Sequence, residues 1–405
     1  MPCQPSRVRL PIGERGDPLR VLQVSDSLTA EYGGTAAACT HLTNCLTRRG
    51  IDVSVITLAG SNGGAPAWPL DPGIVTKMCR PIGPRRLGYS RGLPAVLDSL
   101  PAQNVVHLHG LWRLHYFQSA RFAHGRGIPL IVSVHGMLLG RALGQRAALK
   151  RVGRWLFQDA LLRRAHCLHA TSTAEAEAIR GLGFEGAIAV VPWGVDVPGE
   201  FPSRSEWRSS NTGGRAVLLY LGRLHPSKGL DPLLRAWAQV HRRFAAWRLV
   251  VAGYDEGGYR ATLEALAAQL GVTEAITFAG PAHGLAREQL FAEASLVVLP
   301  SPAENFGFVV PEALIRGIPV IATQGTPWAS VAAEACGWWV PPGEASLAAA
   351  LAEALGRPPQ MLRQMGERGR DLVRTRFTWD FVAQSFVELY EWALGRRAAP
   401  AFIQP

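Results

Sequence analysis

The sequence has no long apolar run and no motif of paired cysteines. No apolar run approaches the ~18 to 20 residues that span a bilayer, and the amino terminus, MPCQPSRVRLPIGERG, lacks the apolar core of a signal peptide. The cysteines form no C-x-x-C pair and have no histidine cluster at zinc spacing, so we expect neither a structural metal nor a disulfide framework. They are Cys3, Cys39, Cys45, Cys79, Cys167 and Cys336. These features favour a cytoplasmic protein, either soluble or peripheral on the inner face of the plasma membrane.

Lysine and acidic residues are scarce beside arginine. The chain has 42 Lys+Arg against 31 Asp+Glu and a net charge of +11, but its lysines are only Lys77, Lys150 and Lys228. Such a charge favours anionic partners, which include phosphates, nucleic acid and acidic lipid surfaces. The sequence lacks the aromatic-rich RNA-binding signature, helix-turn-helix spacing and zinc-finger motifs, so we do not expect nucleic acid as the partner.

The length and the alternation of apolar runs predict two α/β domains. A chain of 405 residues, 48% apolar and 18% charged, is too long for one ordinary core, and short apolar runs alternate with helical patterns as in sheets built from βαβ units. We predict a first doubly wound domain over 1–198, a linker over 199–214, a second doubly wound domain over 215–378 and a last helix over 379–397. The predicted strands are residues 20–25, 52–58, 104–110, 129–136, 166–172, 187–194, 216–222, 247–253, 275–280, 295–300 and 319–323. Two such sheets would place the carboxyl ends of their strands at facing edges of a central cleft.

In the second domain, LYLGRLHPSKGLDP leaves a strand and enters a helix, for which Asp231 is the predicted N-terminal cap. Arg223 and Lys228 therefore lie at the carboxyl end of a strand. Two cations at such a place suit a diphosphate, since arginine offers planar donors and lysine a compact charge. The alternative is a solvated loop with ordinary surface cations.

The segment SPAENFGFVVPE (301–312) follows another predicted strand and runs into a helix predicted to begin at Pro311. The backbone amides of 307–310 would then point towards an anion. Glu304 is suited to accept hydrogen bonds from sugar hydroxyls, whereas Glu312 is either a ligand residue or a favourable partner of the helix dipole. The spacing gives no reason for the two carboxyls to face each other as a hydrolase acid/base pair.

Glycines and histidines mark the strand ends of the first domain. Gly33 and Gly34 lie between the first strand and the first helix, where paired glycines let the backbone approach a ligand closely. His107, His109 and His135 each end a predicted strand. A lone histidine at such a place is more often a packed or capping residue than a catalyst.

These motifs, in this order, resemble those of the retaining family 4 glycosyltransferases of the GT-B fold. They are Gly-Gly after the first strand, His-Gly ending a later strand, G-R-x4-K-G in the second domain, and E-x7-E followed by A-L-x2-G-x-P-V-I-A. The resemblance runs over about 21–394. FVVPEALIRGIPVIAT and HATSTAEAEAIRGLG are especially similar to members that assemble bacterial surface polysaccharides.

The resemblance implies a site and a reaction. It implies that Arg223 and Lys228 hold the donor diphosphate, that Glu304 contacts the transferred sugar and that Glu312 contacts the ribose. The remaining implied donor-binding residues are Asn305, Phe306, Gly307 and Phe308, with Gly33 and Gly34 lying against donor and acceptor and His135 lining the reacting centre. The implied reaction retains the anomeric configuration, needs no metal or cofactor, and uses a nucleotide-sugar donor and a glycan acceptor, which we expect to be lipid-linked. The last helix would cross back to the first domain.

Two alternatives to a transferase remain at this stage. One is a sugar-nucleotide epimerase on the same architecture, and the other is a noncatalytic partner that binds sugar nucleotides. Separately, the segment from Arg141 to Arg164 has apolar residues at helical spacing among many cations, which favours an anionic membrane surface as a partner. Its alternative is a helix whose apolar stripe packs on the sheet and whose cations are solvated.

Overall fold

The protein forms two compact units. The computed structural model describes residues 18–29, 32–59, 69–139, 153, 157–198 and 214–405. The first unit comprises the described part of Met1–Pro192 together with Val382–Pro405, and the second unit is Trp193–Phe381. The first unit thus ends before residue 198, where its domain was predicted to end. The predicted linker lies outside the described residues except for Gly214.

The first unit is an eight-stranded sheet flanked by helices. Its strands are β1 (Arg20–Ser25), β2 (Asp52–Leu58), β3 (Val75–Cys79), β4 (Val105–His109), β5 (Leu130–Ser133), β6 (Cys167–Ala170), β7 (Ala187–Val190) and β14 (Ile403–Gln404). Its helices are α1 (Gly33–Arg48), α2 (Leu93–Ser99), α3 (Leu114–Gly125), α4 (Asp159–Arg164), α5 (Thr173–Gly181) and α13 (Trp379–Ala393), the first turn of which belongs to the second unit. The strand order is β14-β7-β6-β5-β4-β1-β2-β3, with only β14 antiparallel to its neighbour.

The second unit is a six-stranded parallel sheet. Its strands are β8 (Ala216–Leu221), β9 (Trp247–Ala252), β10 (Ile276–Gly280), β11 (Ala294–Leu299), β12 (Val320–Thr323) and β13 (Gly337–Val340). Its helices are α6 (Leu230–Val240), α7 (Tyr259–Gln269), α8 (Gly284–Glu293), α9 (Val309–Ile315), α10 (Ser330–Ala333), α11 (Glu344–Leu355) and α12 (Pro359–Arg376). The strand order is β10-β9-β8-β11-β12-β13. Every residue of β11 and β12 is buried, as expected of a parallel sheet covered on both faces.

Both sheets reverse their strand order once, which confirms the predicted pair of Rossmann-like α/β units. The reversal falls between β1 and β4 in the first unit and between β8 and β11 in the second. In open parallel sheets, ligands bind outside the carboxyl ends of the strands at such a switch point. The loops that follow these four strands are therefore the places to look for a site in each unit.

All the predicted strands are present, with bounds that agree or differ by no more than four residues. The strands that sequence reasoning missed are β3, β13 and β14. Four of the five residues of β3 are exposed, so this edge strand has no apolar run. Each residue of β13 is half-buried, and β14 has only two residues, so neither has the fully buried run on which the prediction depended.

Three helix starts differ from the prediction. Helix α6 begins at Leu230 after Gly229, and Asp231, the predicted cap, instead forms an ion pair with Arg235 one turn later at 2.8 Å. Helix α9 begins two residues before Pro311. Helix α1 includes both glycines of the predicted Gly-Gly turn as its first residues. Each difference is about two residues, which is the usual variation at helix ends.

Gly229 combines a left-handed backbone with a close approach between two loops. Its φ is +72°, and a Cβ atom added there would lie 2.2 Å from the carbonyl oxygen of Pro300. Gly271, after α7, has a similar φ of +66° but no atom within 4 Å of an added Cβ. Any side chain at Gly229 must therefore push apart the loops that follow β8 and β11.

We expect Gly229→Ala to destabilise the second unit well beyond the cost of its backbone conformation. Gly271→Ala should cost about 1 to 2 kcal/mol, the cost of left-handed backbone for a residue with a Cβ. Gly229→Ala should cost about 1 to 3 kcal/mol more, because packed atoms must move. Urea unfolding of both variants measures the difference, and equal costs would show that the two loops are not in firm contact.

Candidate functional site

A charged pair joins the two loops at the switch point of the second unit. Lys228 Nζ lies 2.6 Å from Glu304 Oε1, and Ser301 Oγ donates to the same oxygen at 2.8 Å. The lysine and glutamate side chains are 18% and 15% exposed. The pair is therefore sheltered but open to solvent, and the ammonium group has further N–H donors for a ligand anion.

The backbone around this pair is held on several sides. The amide of Glu304 donates to the carbonyl of Gly325 at 2.9 Å, and the hydroxyl of Thr323 donates to the carbonyl of Ser301. Gly325 approaches so closely that an added Cβ would lie 2.0 Å from the carbonyl oxygen of Pro302. The loop after β11 is thus fixed against the loop after β12, and these contacts hold the backbone of Glu304 in place.

Arg223 lies in the same loop as Lys228, but its side chain is engaged elsewhere. Its guanidinium pairs with Glu256, and both side chains are about half exposed at 57% and 43%. The hydroxyl of Tyr220 donates to the Arg223 carbonyl at 2.8 Å, which fixes the backbone. The structure therefore places Arg223 at the predicted strand end but does not bring its guanidinium to the Lys228–Glu304 pair.

Glu312 contacts arginine rather than the Lys228–Glu304 pair. It lies in the first turn of α9 and its Oε2 pairs with Arg287 of α8. Arg316 donates to the Glu312 carbonyl at 2.7 Å and forms a two-point ion pair with Glu288 at 2.6 and 3.0 Å. Burial raises the pKa of Glu312, and the nearby arginines partly offset that rise.

The segment between the two glutamates is an ordered turn. Phe306 is buried, its ring centroid lies 5.3 Å from that of Trp328, and Trp328 Nε1 donates to its carbonyl. Gly307 has a φ of +78°. The amide of Val310, one of the four predicted to face an anion, instead donates to the Gly307 carbonyl at 3.0 Å. The prediction of an anion site formed by all four amides is therefore wrong, because the turn uses one of them.

In the first unit, an ion pair at the switch point was missed by sequence reasoning. Arg113 Nη2 lies 2.8 Å from Asp26 Oδ2, and the same guanidinium donates to the carbonyl of Arg85 at 2.7 Å and to the hydroxyl of Tyr32 at 3.3 Å. Burial raises the pKa of Asp26, and the Arg113 charge opposes this. Asp26 follows β1 and Arg113 lies shortly after β4, so their positions after strands were the available signal.

Histidines form a buried cluster on one face of the first sheet. His107 and His109 are fully buried, and His135, two residues after the end of β5, is half-buried with an uncommon φ of +49°. His135 Nε2 lies 3.4 Å from His109 Nδ1. Burial lowers the pKa of His135 to about 3 and that of His169 to about 4, and it lowers the pKa values of His107 and His109 well below the usual range.

Glu175 fixes the backbone next to His135, and sequence reasoning missed it as well. Its buried carboxylate accepts hydrogen bonds from the amides of Gly136 and Thr171 at 2.5 and 2.7 Å and from the Thr171 hydroxyl at 2.9 Å. Ser172 caps α5 by accepting from the Glu175 amide at 3.2 Å. The spacing Ser-x-x-Glu at a helix start was the sequence signal.

Gly33 and Gly34 are exposed at the beginning of α1, with a φ of +52° at Gly33.

Over the part of the chain that the structure describes, no helix has both the length and the hydropathy of a membrane span. Over the same residues, no three His, Cys, Asp or Glu side chains are grouped as metal ligands. Most of the basic segment from Arg141 to Arg164 lies outside the described residues.

The fold defines a protein of two Rossmann-like α/β units, and comparisons with known proteins give its family. Residues 33–194 match the family described as "Glycosyl transferase 4-like domain", and residues 203–372 match "Glycosyl transferases group 1". The chain is 30% identical over 406 residues to D-inositol 3-phosphate glycosyltransferase of Segniliparus rotundus, covering 92% of this chain and 87% of the relative. It is 26% identical over 379 residues to the uncharacterized glycosyltransferase MJ1607 of Methanocaldococcus jannaschii, covering 89% and 95%.

Solved structures agree on the fold. Sucrose-phosphate synthase from Thermosynechococcus elongatus superposes with a TM-score of 0.75 at 20% identity, covering 94% of this chain and all of that one. Anabaena Alr3699/HepE, in complex with UDP and glucose, gives 0.73 at 18% identity, covering 92% of this chain and 100% of that one. The chain therefore belongs to the glycosyltransferases of the family 4 type and has the GT-B fold, which confirms the family type and the fold that the sequence resemblance implied.

Mild acid should destabilise the first unit through its buried histidines. A folded-state pKa below the unfolded value of about 6.5 means that this stability is fully present above pH 6.5 and is lost as the pH falls towards 3 to 4. Between pH 7 and 5.5 each of the four rings should cost about 1 kcal/mol, or about 4 to 5 kcal/mol together. His115, a fifth buried ring of this unit whose pKa burial lowers to about 3, should add a cost of about 1 kcal/mol. Urea unfolding at both pH values measures the loss.

Two variants separate this effect from general acid sensitivity. His169→Gln keeps a donor for the backbone and should reduce the pH effect by about 1 kcal/mol, the share of one ring. His124, exposed on α3, provides the control, since His124→Gln should leave the pH effect unchanged. An equal pH effect in all three proteins would contradict the assignment.

Proposed function

We propose that this glycosyltransferase moves a sugar from a nucleotide-sugar donor to a glycan acceptor with retention of anomeric configuration and without a required metal. The acceptor we propose is a lipid-linked intermediate of surface polysaccharide biosynthesis at the cytoplasmic membrane face. The observation that carries the proposal is the sheltered group of Lys228, Glu304 and Ser301 at the switch point of the second unit. It offers a cation for a phosphate and a carboxylate for sugar hydroxyls side by side.

The charges of the second unit suit the departure of a nucleoside diphosphate. Such a reaction needs positive charge at the leaving group, supplied by positioned donors. Lys228 is already in place, and the Arg223–Glu256 pair is exposed enough to be exchanged for a diphosphate at little cost, because exposed ion pairs contribute little. A similar solved structure, Alr3699/HepE, contains UDP and glucose. We therefore assign the donor diphosphate to Lys228 and Arg223, with no metal required.

The transferred sugar and the ribose are assigned to the two glutamates. Glu304 accepts from Lys228 and Ser301 through Oε1, so Oε2 is the oxygen we assign to the sugar hydroxyls. Arg287 contacts Oε2 of Glu312, which assigns Oε1 to the ribose. The turn between the two glutamates is assigned to the donor as well, through Asn305, Phe306, Gly307 and Phe308. In the first unit, the residues assigned to the reacting sugar and the acceptor are Gly33, Gly34 and His135.

Replacing either member of the Lys228–Glu304 pair should abolish transfer. We expect Lys228→Ala and Glu304→Gln each to lower kcat/KM by about 100-fold or more, the usual effect of removing a positioned charge at a transition state. The assay screens nucleotide sugars by thermal shift and then follows transfer, with the product anomer read by NMR. The product should retain the donor's configuration, and EDTA should not change the rate.

Arg235→Ala is the matched control, because it removes a cation from an exposed ion pair with Asp231 in the same unit. It should leave transfer unchanged. Near-normal turnover by Lys228→Ala or Glu304→Gln would reject the site, and an inverted product would reject retention. Nucleotide-sugar conversion without any acceptor would favour the epimerase, and binding without turnover would favour the noncatalytic partner.

A surface of the first unit supports a lipid-linked acceptor. We call residues 77–91, the last three residues of β3 and the connection that follows them, the basic loop. Its sequence contains no acid, and its five cations are exposed. The exposed cations are Lys77, Arg80, Arg85, Arg86 and Arg91, and the large exposed apolar side chains among them are Met78, Ile82, Leu87 and Tyr89. Apolar side chains interleaved with cations suit the surface of an anionic membrane.

The basic loop should bind anionic vesicles. The triple variant Lys77→Gln, Arg80→Gln and Arg86→Gln should weaken binding roughly 100-fold, since each cation near such a surface is worth about 1 kcal/mol. Co-sedimentation of the full chain with vesicles of anionic phosphatidylglycerol, and with neutral vesicles for comparison, measures the change.

A matched triple variant removes equal charge from exposed sites of the second unit: Arg242→Gln, Arg363→Gln and Arg374→Gln. It should bind nearly as the unmodified protein does. Equal weakening by both triple variants would reject the basic loop as a specific surface. Neutralising Lys150, Arg151 and Arg154 tests the basic segment predicted from the sequence in the same assay.

A further inference from the structure

A continuous line of buried polar groups crosses one face of the first sheet. The strand register sets Gln23 of β1 beside His107 of β4, and Ser133 of β5 beside both His109 of β4 and His169 of β6. Tyr390, on α13, packs over this layer. Buried polar groups are costly unless each one has a hydrogen-bond partner, so the partners decide what state each group can adopt.

At one end of this line, His169 is hydrogen-bonded to a backbone carbonyl. His169 Nε2 lies 2.7 Å from the oxygen of Val191, which can only accept, so Nε2 carries the proton. Because the ring is neutral at pH 7, its Nδ1 can only accept, and Ser133 Oγ at 2.7 Å must donate to it. The serine has no second proton, so its oxygen accepts from His107 Nε2 at 2.7 Å.

The same reasoning extends through Tyr390 to Gln23 of β1 and His109 of β4. His107 Nδ1 is left as an acceptor, and the Tyr390 hydroxyl donates a hydrogen bond to it at 2.7 Å. The phenol oxygen then accepts from Gln23 Nε2 at 3.3 Å, which fixes the orientation of that amide and turns its Oε1 towards His109 Nε2 at 2.6 Å. A flipped amide would set its oxygen against the phenol oxygen, which has no proton left to give.

We propose that this hydrogen-bond chain has a single direction and holds His135 as its Nε2–H tautomer, with Tyr390 as the positioning residue that sets the direction of the outer half. His109 donates from Nε2, so its Nδ1 accepts, and His135 Nε2 at 3.4 Å is the donor. Nδ1 of His135 then carries a lone pair. If His135 contacts substrate, as the proposed function assigns, it contacts a hydroxyl that donates and not a phosphate oxygen.

The tautomers can be read without any substrate. In the full chain labelled with 15N-histidine, long-range proton–nitrogen spectra at pH 7 should show His107, His109, His135 and His169 each as a single Nε2–H form. His→Gln variants assign the signals. A His135 signal of the Nδ1–H form, or an average of the two forms, would overturn the proposal.

Tyr390→Phe should leave the hydrogen bonds of Gln23, His109 and His135 without a fixed direction. Without the phenol oxygen the Gln23 amide is no longer held in one orientation, so His109 and His135 should change from one tautomer to a mixture of both. Tyr116→Phe is the matched control, because Tyr116 is a buried tyrosine whose hydroxyl donates at 2.7 Å to the backbone carbonyl of His109. It should leave the tautomers unchanged.

The outcomes separate this proposal from the proposed function. If the single His135 tautomer persists in Tyr390→Phe, or is lost equally in Tyr116→Phe, the proposed direction of the hydrogen bonds is wrong, whether or not the protein transfers sugar. If Tyr390→Phe changes the His109 and His135 tautomers as predicted but the protein transfers no sugar, the hydrogen-bond proposal is supported and only the proposed function is rejected.

Discussion

The side-by-side placement of β8 and β11 is the constraint on which the site of the second unit depends. Lys228 and Glu304 are 76 positions apart in the chain, yet their side chains meet at 2.6 Å because the sheet reverses its order between these two strands. Gly229 permits the loops to touch, since no side chain fits against the Pro300 carbonyl. The first unit repeats the arrangement, with Asp26 and Arg113 meeting beyond β1 and β4.

Paired charges are a common feature of the predicted donor-site residues. Lys228 pairs with Glu304, Arg223 with Glu256, and Glu312 with Arg287. The side chains of these pairs differ in solvent exposure, and an exposed ion pair is easier to separate than a buried one. The half-exposed Arg223–Glu256 pair costs little to separate, whereas the less exposed Lys228–Glu304 pair is a fixed part of the contact between the two loops.

The polar layer of the first unit links parts of the chain that are distant in sequence. Tyr390 comes from the last helix, and its hydroxyl completes the hydrogen bonding of His107 on β4. The helix is therefore part of the first unit's core and not an accessory to it. A buried layer of this kind adds little net stability, but it admits few arrangements, because a single unsatisfied group is expensive.

Much of the architecture could be predicted from the sequence, because apolar runs such as that of β11 identify buried strands and their alternation with helices identifies parallel sheets. Arg223, Lys228 and Glu304 were likewise placed at strand ends by the same pattern.

Other features depended on tertiary contacts. The pairing of Glu312 with Arg287, of Asp26 with Arg113 and of Glu175 with the Gly136 amide joins residues distant in the chain, which no local pattern records. His107 and His109 looked like two lone histidines in the sequence. Only the strand register and the last helix decide that they form one buried chain, because hydrogen-bond partners are chosen by position in space and not by position along the chain.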